Sequence, residues 1–141
     1  MTNRVHDKQK ELNMPLVRID LRSGKSESYR RAVGDAVHRA MVETIKVPEK
    51  DHFQIFSEHD PAGLIYDPSY LDIARGDEIL IIQITLKAGR TVEMKKALYA
   101  RIASLLAEKP GVRREDVLIS LVEVPKENWS FGNGIAQYAD R

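Results

Sequence analysis

A chain of 141 residues has the length of one domain, and 22 Lys+Arg against 21 Asp+Glu leave a formal net charge of +1. The signs are interspersed, so there is no basic footprint for a phosphate backbone and nucleic acid is set aside as a partner. The lack of cysteine excludes disulfides, thiolate metal sites and cysteine nucleophiles, and no run approaches the roughly 20 apolar residues of a membrane span.

Residues 1–14 are polar and lack the apolar core of a signal peptide, so a cytoplasmic protein is expected. They read as an N-terminal extension: a misassigned start, an arm or an expression remnant. Pro15–Leu21 alternates, with Val17, Ile19 and Leu21 on one side and Arg18 and Asp20 on the other. That is a half-buried strand, and proline is tolerated at its first position. Ser23-Gly24 turns the chain, Ser26 is a helix N-cap, and Ala32, Val33, Ala36, Val37, Ala40, Met41 and Ile45 follow helical spacing. Val47-Pro48 stops this helix, and His52–Ser57 is a second strand. Residues 59–78 form a long insert with Pro61, Gly63, Pro68 and Gly76.

Glu78–Leu86 is the most apolar strand and is expected in the middle of the sheet. Ala88-Gly89 leads into a helix capped by Thr91, with Met94, Ala97, Leu98, Ile102, Leu105 and Leu106 on its apolar face. Lys109-Pro110-Gly111 ends it, and Asp116–Val124 is the fourth strand. The tail Trp129–Tyr138, with three aromatics and two glycines, reads as a short hairpin.

Residues 16–58 and 81–123 repeat one pattern at a fixed offset of 65. Leu16–Leu21 falls on Ile81–Leu86, Gly24-Lys25-Ser26 on Gly89-Arg90-Thr91, Asp51 on Asp116 and Glu58 on Glu123. The fold class that follows is α/β (α+β), with tandem β-α-β repeats making a four-stranded mixed sheet. Right-handed crossovers put both helices on one face. The other face, where Leu16 and Ile81 place apolar atoms, then needs a cover that the chain cannot supply. Self-association is expected, with the tail as an edge contact.

Several residues carry two readings. Pro15 is either a strand-edge residue or, if it is the chain terminus, a rigid secondary amine. An ordinary α-amino group titrates at about 7.7–8.0; burial and a nearby cation favour its neutral form, and a carboxylate favours its charged form. Arg90 stands just before a helix start, where a cation opposes the helix dipole by about 0.3–1 kcal/mol. It is placed to hold a carboxylate against the helix amides, but Lys25 has the same station, so a duplicated surface charge fits equally. Asp51 and its mate Asp116 are either turn caps or, for Asp51, a reactive carboxylate. Trp129 and Phe131 are subunit packing or a substrate wall. His6, His38, His52 and His59 lack metal-ligand spacing, and Gly132-Asn133-Gly134 lacks the strand–helix context of a dinucleotide loop.

A set of motifs runs from Pro15 to Tyr138. Pro15 opens a strand, Val47-Pro48 precedes Asp51 and Gln54, and His59 comes before the insert. Gly89-Arg90-Thr91 is followed by Glu93 and Lys95, and Trp129-Ser130-Phe131-Gly132 by Gly134. In these the chain resembles the tautomerase superfamily, and most of all its malonate semialdehyde decarboxylase branch. The resemblance implies a homotrimer of two-repeat subunits, an amino-terminal proline as catalytic amine, and no organic cofactor or metal. It implies Pro15 as acid/base, Asp51 as the carboxylate tuning the amine or orienting water, Arg90 as the anion grip, and Trp129 and Phe131 as pocket walls. The branch's paired arginines flank a single residue; here the run is Lys87-Ala88-Gly89-Arg90, with Lys87 standing in for the second and less suited to a bidentate grip.

The implied activity is keto–enol tautomerisation, or decarboxylation or hydration, of small carboxylate-bearing carbonyl compounds such as malonate semialdehyde. It requires Pro15 to be the mature terminus, because an internal imide nitrogen has no basic lone pair. The reading from another class is a non-enzymatic trimeric interaction protein whose proline is blocked by residues 1–14.

Overall fold

The computed structural model describes residues 15–139; the extension expected over residues 1–14 lies outside them. The chain runs β1 (Leu16–Arg22), α1 (Glu27–Ile45), β2 (Gln54–His59), β3 (Leu80–Lys87), α2 (Val92–Glu108) and β4 (Val117–Val124). Single 3₁₀ turns stand at Tyr70–Asp72, Arg114–Asp116 and Lys126–Asn128. Both helices start as their sequences predict: Ser26 Oγ accepts from the Tyr29 N–H at 3.1 Å, and Thr91 Oγ1 from the Met94 N–H at 3.2 Å.

The sheet order is β2-β1-β3-β4. Pairing is parallel within each repeat, β1 with β2 and β3 with β4, and antiparallel where the repeats meet, Ile19 opposite Ile82. The two halves are thus related by a rough two-fold axis through the β1–β3 seam, and equivalent residues lie at opposite ends of the sheet. Strand alternation sends Val17, Ile19 and Leu21 of β1 and Leu80, Ile82, Ile84 and Leu86 of β3 to the helix side, all buried. They pack against Val33, Val37 and Met41 of α1 and Leu98, Ile102 and Leu106 of α2. Ala97, expected on this face, is exposed.

The opposite face is largely open among the described residues, bordered by the insert where Ile65, Tyr66 and Tyr70 share a cleft with Ile81 and Leu118. Ile55, Leu118 and Val122 stand there 38–41% exposed, with Leu16 and Ile81 half-buried beside them. No helix among those residues is long and apolar enough to cross a membrane.

Two expectations need correcting. β2 and β3 each begin two residues later than their apolar runs. A turn closed by the Asp51 N–H on the Pro48 carbonyl, 3.0 Å, delays β2, and the ladder opens only where the Val17 N–H meets the Phe53 carbonyl at 3.1 Å. The tail forms no hairpin. Gly132, Asn133 and Gly134 have φ of 137°, 61° and 67°, and the Gln137 side chain closes the loop by accepting from the Phe131 N–H and donating to the Gly132 carbonyl, 2.9 Å each. A side chain has taken the bonds a strand pair would have used.

Gly34, in the middle of α1, marks where β2 approaches the helix most closely. The Gln54 amide donates to the Gly34 carbonyl at 2.8 Å, and an added Cβ would collide with Gln54 Oε1 and come within 3.3 Å of the Phe56 ring. Alanine would gain about 1 kcal/mol of helix propensity, less than the roughly 1–3 kcal/mol cost of overpacking. Gly34→Ala is therefore expected to lose about 1 kcal/mol net, read as a lower urea midpoint at unchanged slope.

Candidate active site

One end of the sheet gathers the residues singled out by sequence. Pro15 is buried, in phase with Val17 and Ile19, immediately before the Leu16–Thr85 pair. Its neighbours across the ladder are therefore the start of β2 at Phe53 and the end of β3 at Leu86-Lys87. β3 and β4 also finish here together, Lys87 opposite Val124, and the Ala88 N–H donates to the Val124 carbonyl at 2.9 Å. The turn into α2 and the start of the tail consequently share this end with Pro15 and the Asp51 turn.

Arg90 is 7% exposed, which rules out the surface-charge reading. Its Nη1 donates to the Lys87 carbonyl at 2.6 Å, tying the guanidinium under the β3–α2 turn. Burial pushes its pKa down to about 10, while Glu123 pulls it back up. It is still a full cation at neutral pH, held where the fold disfavours charge and an incoming anion would relieve that cost. Glu123 is itself held below the usual carboxylate range, chiefly by Lys95 at 2.6 Å and partly by the Gly89 N–H and Arg90. The pair has a repeat mate in Arg30–Glu58 at 2.9 Å, so Lys95–Glu123 belongs to the shared scaffold.

The equivalents at the far end of the sheet are differently used. Lys25 is ion-paired with Glu78 and lies over the Tyr29 ring, 5.0 Å from its centroid. Asp116 is 1% exposed and accepts from the Gly76 N–H at 2.8 Å and from Arg113 Nε at 3.1 Å. It is a structural carboxylate. Asp51, its mate, is half-buried and lines an open cleft of about 390 Å³ with Pro48, Lys50, Phe53, Phe131 and Tyr138.

The aromatics form a continuous wall. Trp129 stacks on Phe131 with centroids 5.3 Å apart; Tyr138 meets Phe131 edge-on at 5.8 Å, and Phe53 lies 6.0 Å away on the β2 side. The Trp129 indole N–H is buried with no hydrogen-bond partner among the described residues. Lys87 is the residue this arrangement does not deliver. Its alternation places the side chain on the uncovered sheet face, and only its carbonyl reaches Arg90. Phe53 was missed by sequence reasoning because it reads as the interior of a strand that in fact starts after it; the proline at 48 was the available signal.

Two β-α-β repeats thus share one mixed sheet, and a buried cation and an aromatic wall stand at the end where a proline opens the first strand. Two family models described as "Tautomerase enzyme" match the chain, over residues 51–132 and 15–72. The chain is 48% identical over 124 residues to the probable tautomerase YusQ of Bacillus subtilis (strain 168), covering 88% of this chain and 98% of that protein. The crystal structure of FG41 malonate semialdehyde decarboxylase inhibited by 3-bromopropiolate is similar at TM-score 0.83 and 43% identity, covering 89% of this chain and 95% of that one. A fused 4-OT symmetric trimer superposes at TM-score 0.72 and 26% identity, covering 89% and 99%. This chain belongs to the tautomerase family.

Proposed function

We propose that this protein is an amino-terminal-proline enzyme acting on small oxo acids, with tautomerisation as its basic reaction. The observation that carries the reading is the buried guanidinium of Arg90 at the sheet end where Pro15 opens β1. A family model whose match begins at residue 15 supports Pro15 as the functional start. In the reaction, the neutral Pro15 amine takes the enol hydroxyl proton as the carbonyl forms. The resulting ammonium returns a proton to the adjacent carbon, so the proline ends as it began. Arg90 anchors the substrate carboxylate, Asp51 tunes the amine, steadying the ammonium formed in mid-reaction, or orients water, and Trp129 and Phe131 enclose the carbon skeleton.

Decarboxylation of malonate semialdehyde is the second reading, favoured by the 43% identity to a decarboxylase of that substrate. There a protonated Pro15, held charged by Asp51, would hydrogen-bond the aldehyde oxygen. As the C–C bond breaks and carbon dioxide leaves, the bond's electron pair passes into the polarised carbonyl as an enol, which then takes a proton at carbon. A protein beginning at Pro15, assayed with phenylenolpyruvate and with malonate semialdehyde, tests both. Turnover of neither would remove the enzyme reading and leave a non-enzymatic interaction protein.

The assembly proposed is a cytoplasmic homotrimer that buries the uncovered sheet face. Leu118 and Val122 are the exposed apolar residues of β4 on that face. A double change, Leu118→Lys with Val122→Glu, is expected to shift the molar mass in solution from trimer to monomer. A persistent trimer would place the interface elsewhere.

A further inference from the structure

One side chain of α1 grips the Asp51 turn on both sides. Two residues before Asp51, the Glu49 carbonyl meets His38 Nε2 at 2.9 Å. One residue after it, the His52 ring stacks on the His38 ring, centroids 4.1 Å apart and planes 10° from parallel. A carbonyl can only accept, so Nε2 carries the proton and His38 is held as a single tautomer. Its Nδ1 is buried without a hydrogen-bond partner among the described residues, so a second proton there would have no acceptor.

We propose that His38 is a positioning residue that, through Glu49 and His52, fixes the turn presenting Asp51 to the substrate. The inference rests on the role given to Asp51 above. It adds a consequence in acid: protonated His38 sits against His52 with its Nδ1 proton unmet, which loosens the turn. The charged and titratable groups facing the ring are Asp35 and Arg39 from α1 and Glu49 and His52 from the turn. Burial, then His52, push the His38 pKa below its ordinary value of 6.5, against an upward pull from Glu49 and Asp35. A base so shifted binds fewer protons folded than unfolded. Its stabilisation is complete above the ordinary value and is lost as the pH falls below about 6.5.

The test uses a protein beginning at Pro15 and compares His38→Ala, His38→Gln and Asp51→Asn. Glutamine retains an amide donor for the Glu49 carbonyl but has no titrating ring. His38→Ala is expected to lower kcat about tenfold with little change in KM, as displacement of a reacting group by a fraction of an ångström does. It is also expected to speed hydrogen exchange at the Asp51 amide about tenfold, with α1 amides unaffected. His38→Gln should recover most of kcat and lose the acid limb that His38 contributes. If His38→Ala keeps full kcat while Asp51→Asn loses it, or if Asp51 amide exchange does not change, the inference is wrong. If Asp51→Asn keeps full kcat, the catalytic reading of Asp51 fails first and removes the rate effect claimed for His38; the exchange measurement still decides whether His38 holds the turn.

Discussion

Pro15→Ala, in a protein whose first residue is position 15, is expected to lower kcat/KM for phenylenolpyruvate tautomerisation by about 10²–10⁴-fold, the usual contribution of a positioned acid/base group. Alanine keeps an α-amine but not the ring that fixes the direction of its lone pair, so the loss measures positioning more than basicity. A protein retaining the preceding residues should lose as much or more, because an amide nitrogen delocalised into a carbonyl cannot take a proton. The fold should survive both changes, since the ladder bond nearest this point comes from the Val17 N–H. Matched circular dichroism and unfolding midpoints would confirm that. Equal turnover with a free and a blocked Pro15 would remove it from the chemistry.

Arg90→Met should show opposite effects on binding and stability. Losing a charge-assisted contact to a carboxylate costs about 1.5–3 kcal/mol, so KM should rise roughly 10–100-fold, with kcat nearly constant if ground state and transition state are held alike. Stability should not fall with it. Burial holds the Arg90 pKa down at about 10, below its ordinary value, so the folded chain disfavours the charge at every pH below about 10 and the penalty fades only as pH rises past it. Thermal unfolding at neutral pH is therefore expected at the same temperature or higher. A lower melting temperature together with an unaltered KM would mean that Arg90 serves the β3–α2 turn through its bond to Lys87 and does not bind substrate.

The architecture was legible because both repeats state it with different residues. Alternation in Leu16–Leu21 and Ile81–Leu86, the caps Ser26 and Thr91, and the helical spacing behind them agree. The candidate site was legible through Pro15, Arg90 and the Trp129–Phe131 pair. Sequence alone could not separate Arg90 from Lys25 or Asp51 from Asp116, because the difference lies in long-range partners: Glu78 for Lys25, Gly76 and Arg113 for Asp116. The tail failed as a hairpin because Gln137 supplies bonds that no periodicity encodes. His38 and His52 carried no signal for the same reason: thirteen residues of helix end and turn separate two rings that stack.

The insert between β2 and β3 settles an inequality between the two copies. It delivers Gly76 and Glu78 to the very residues that mirror the reactive end, and Leu80 occupies the station of Pro15 within unbroken chain. On the proposed reading, the far end of the sheet, built around Lys25, Leu80 and Asp116, is structural and carries no reaction. An assembly of three such chains would hold three turnover centres instead of six, and mutations around Lys25 and Asp116 should be paid for in folding and leave catalytic rate untouched.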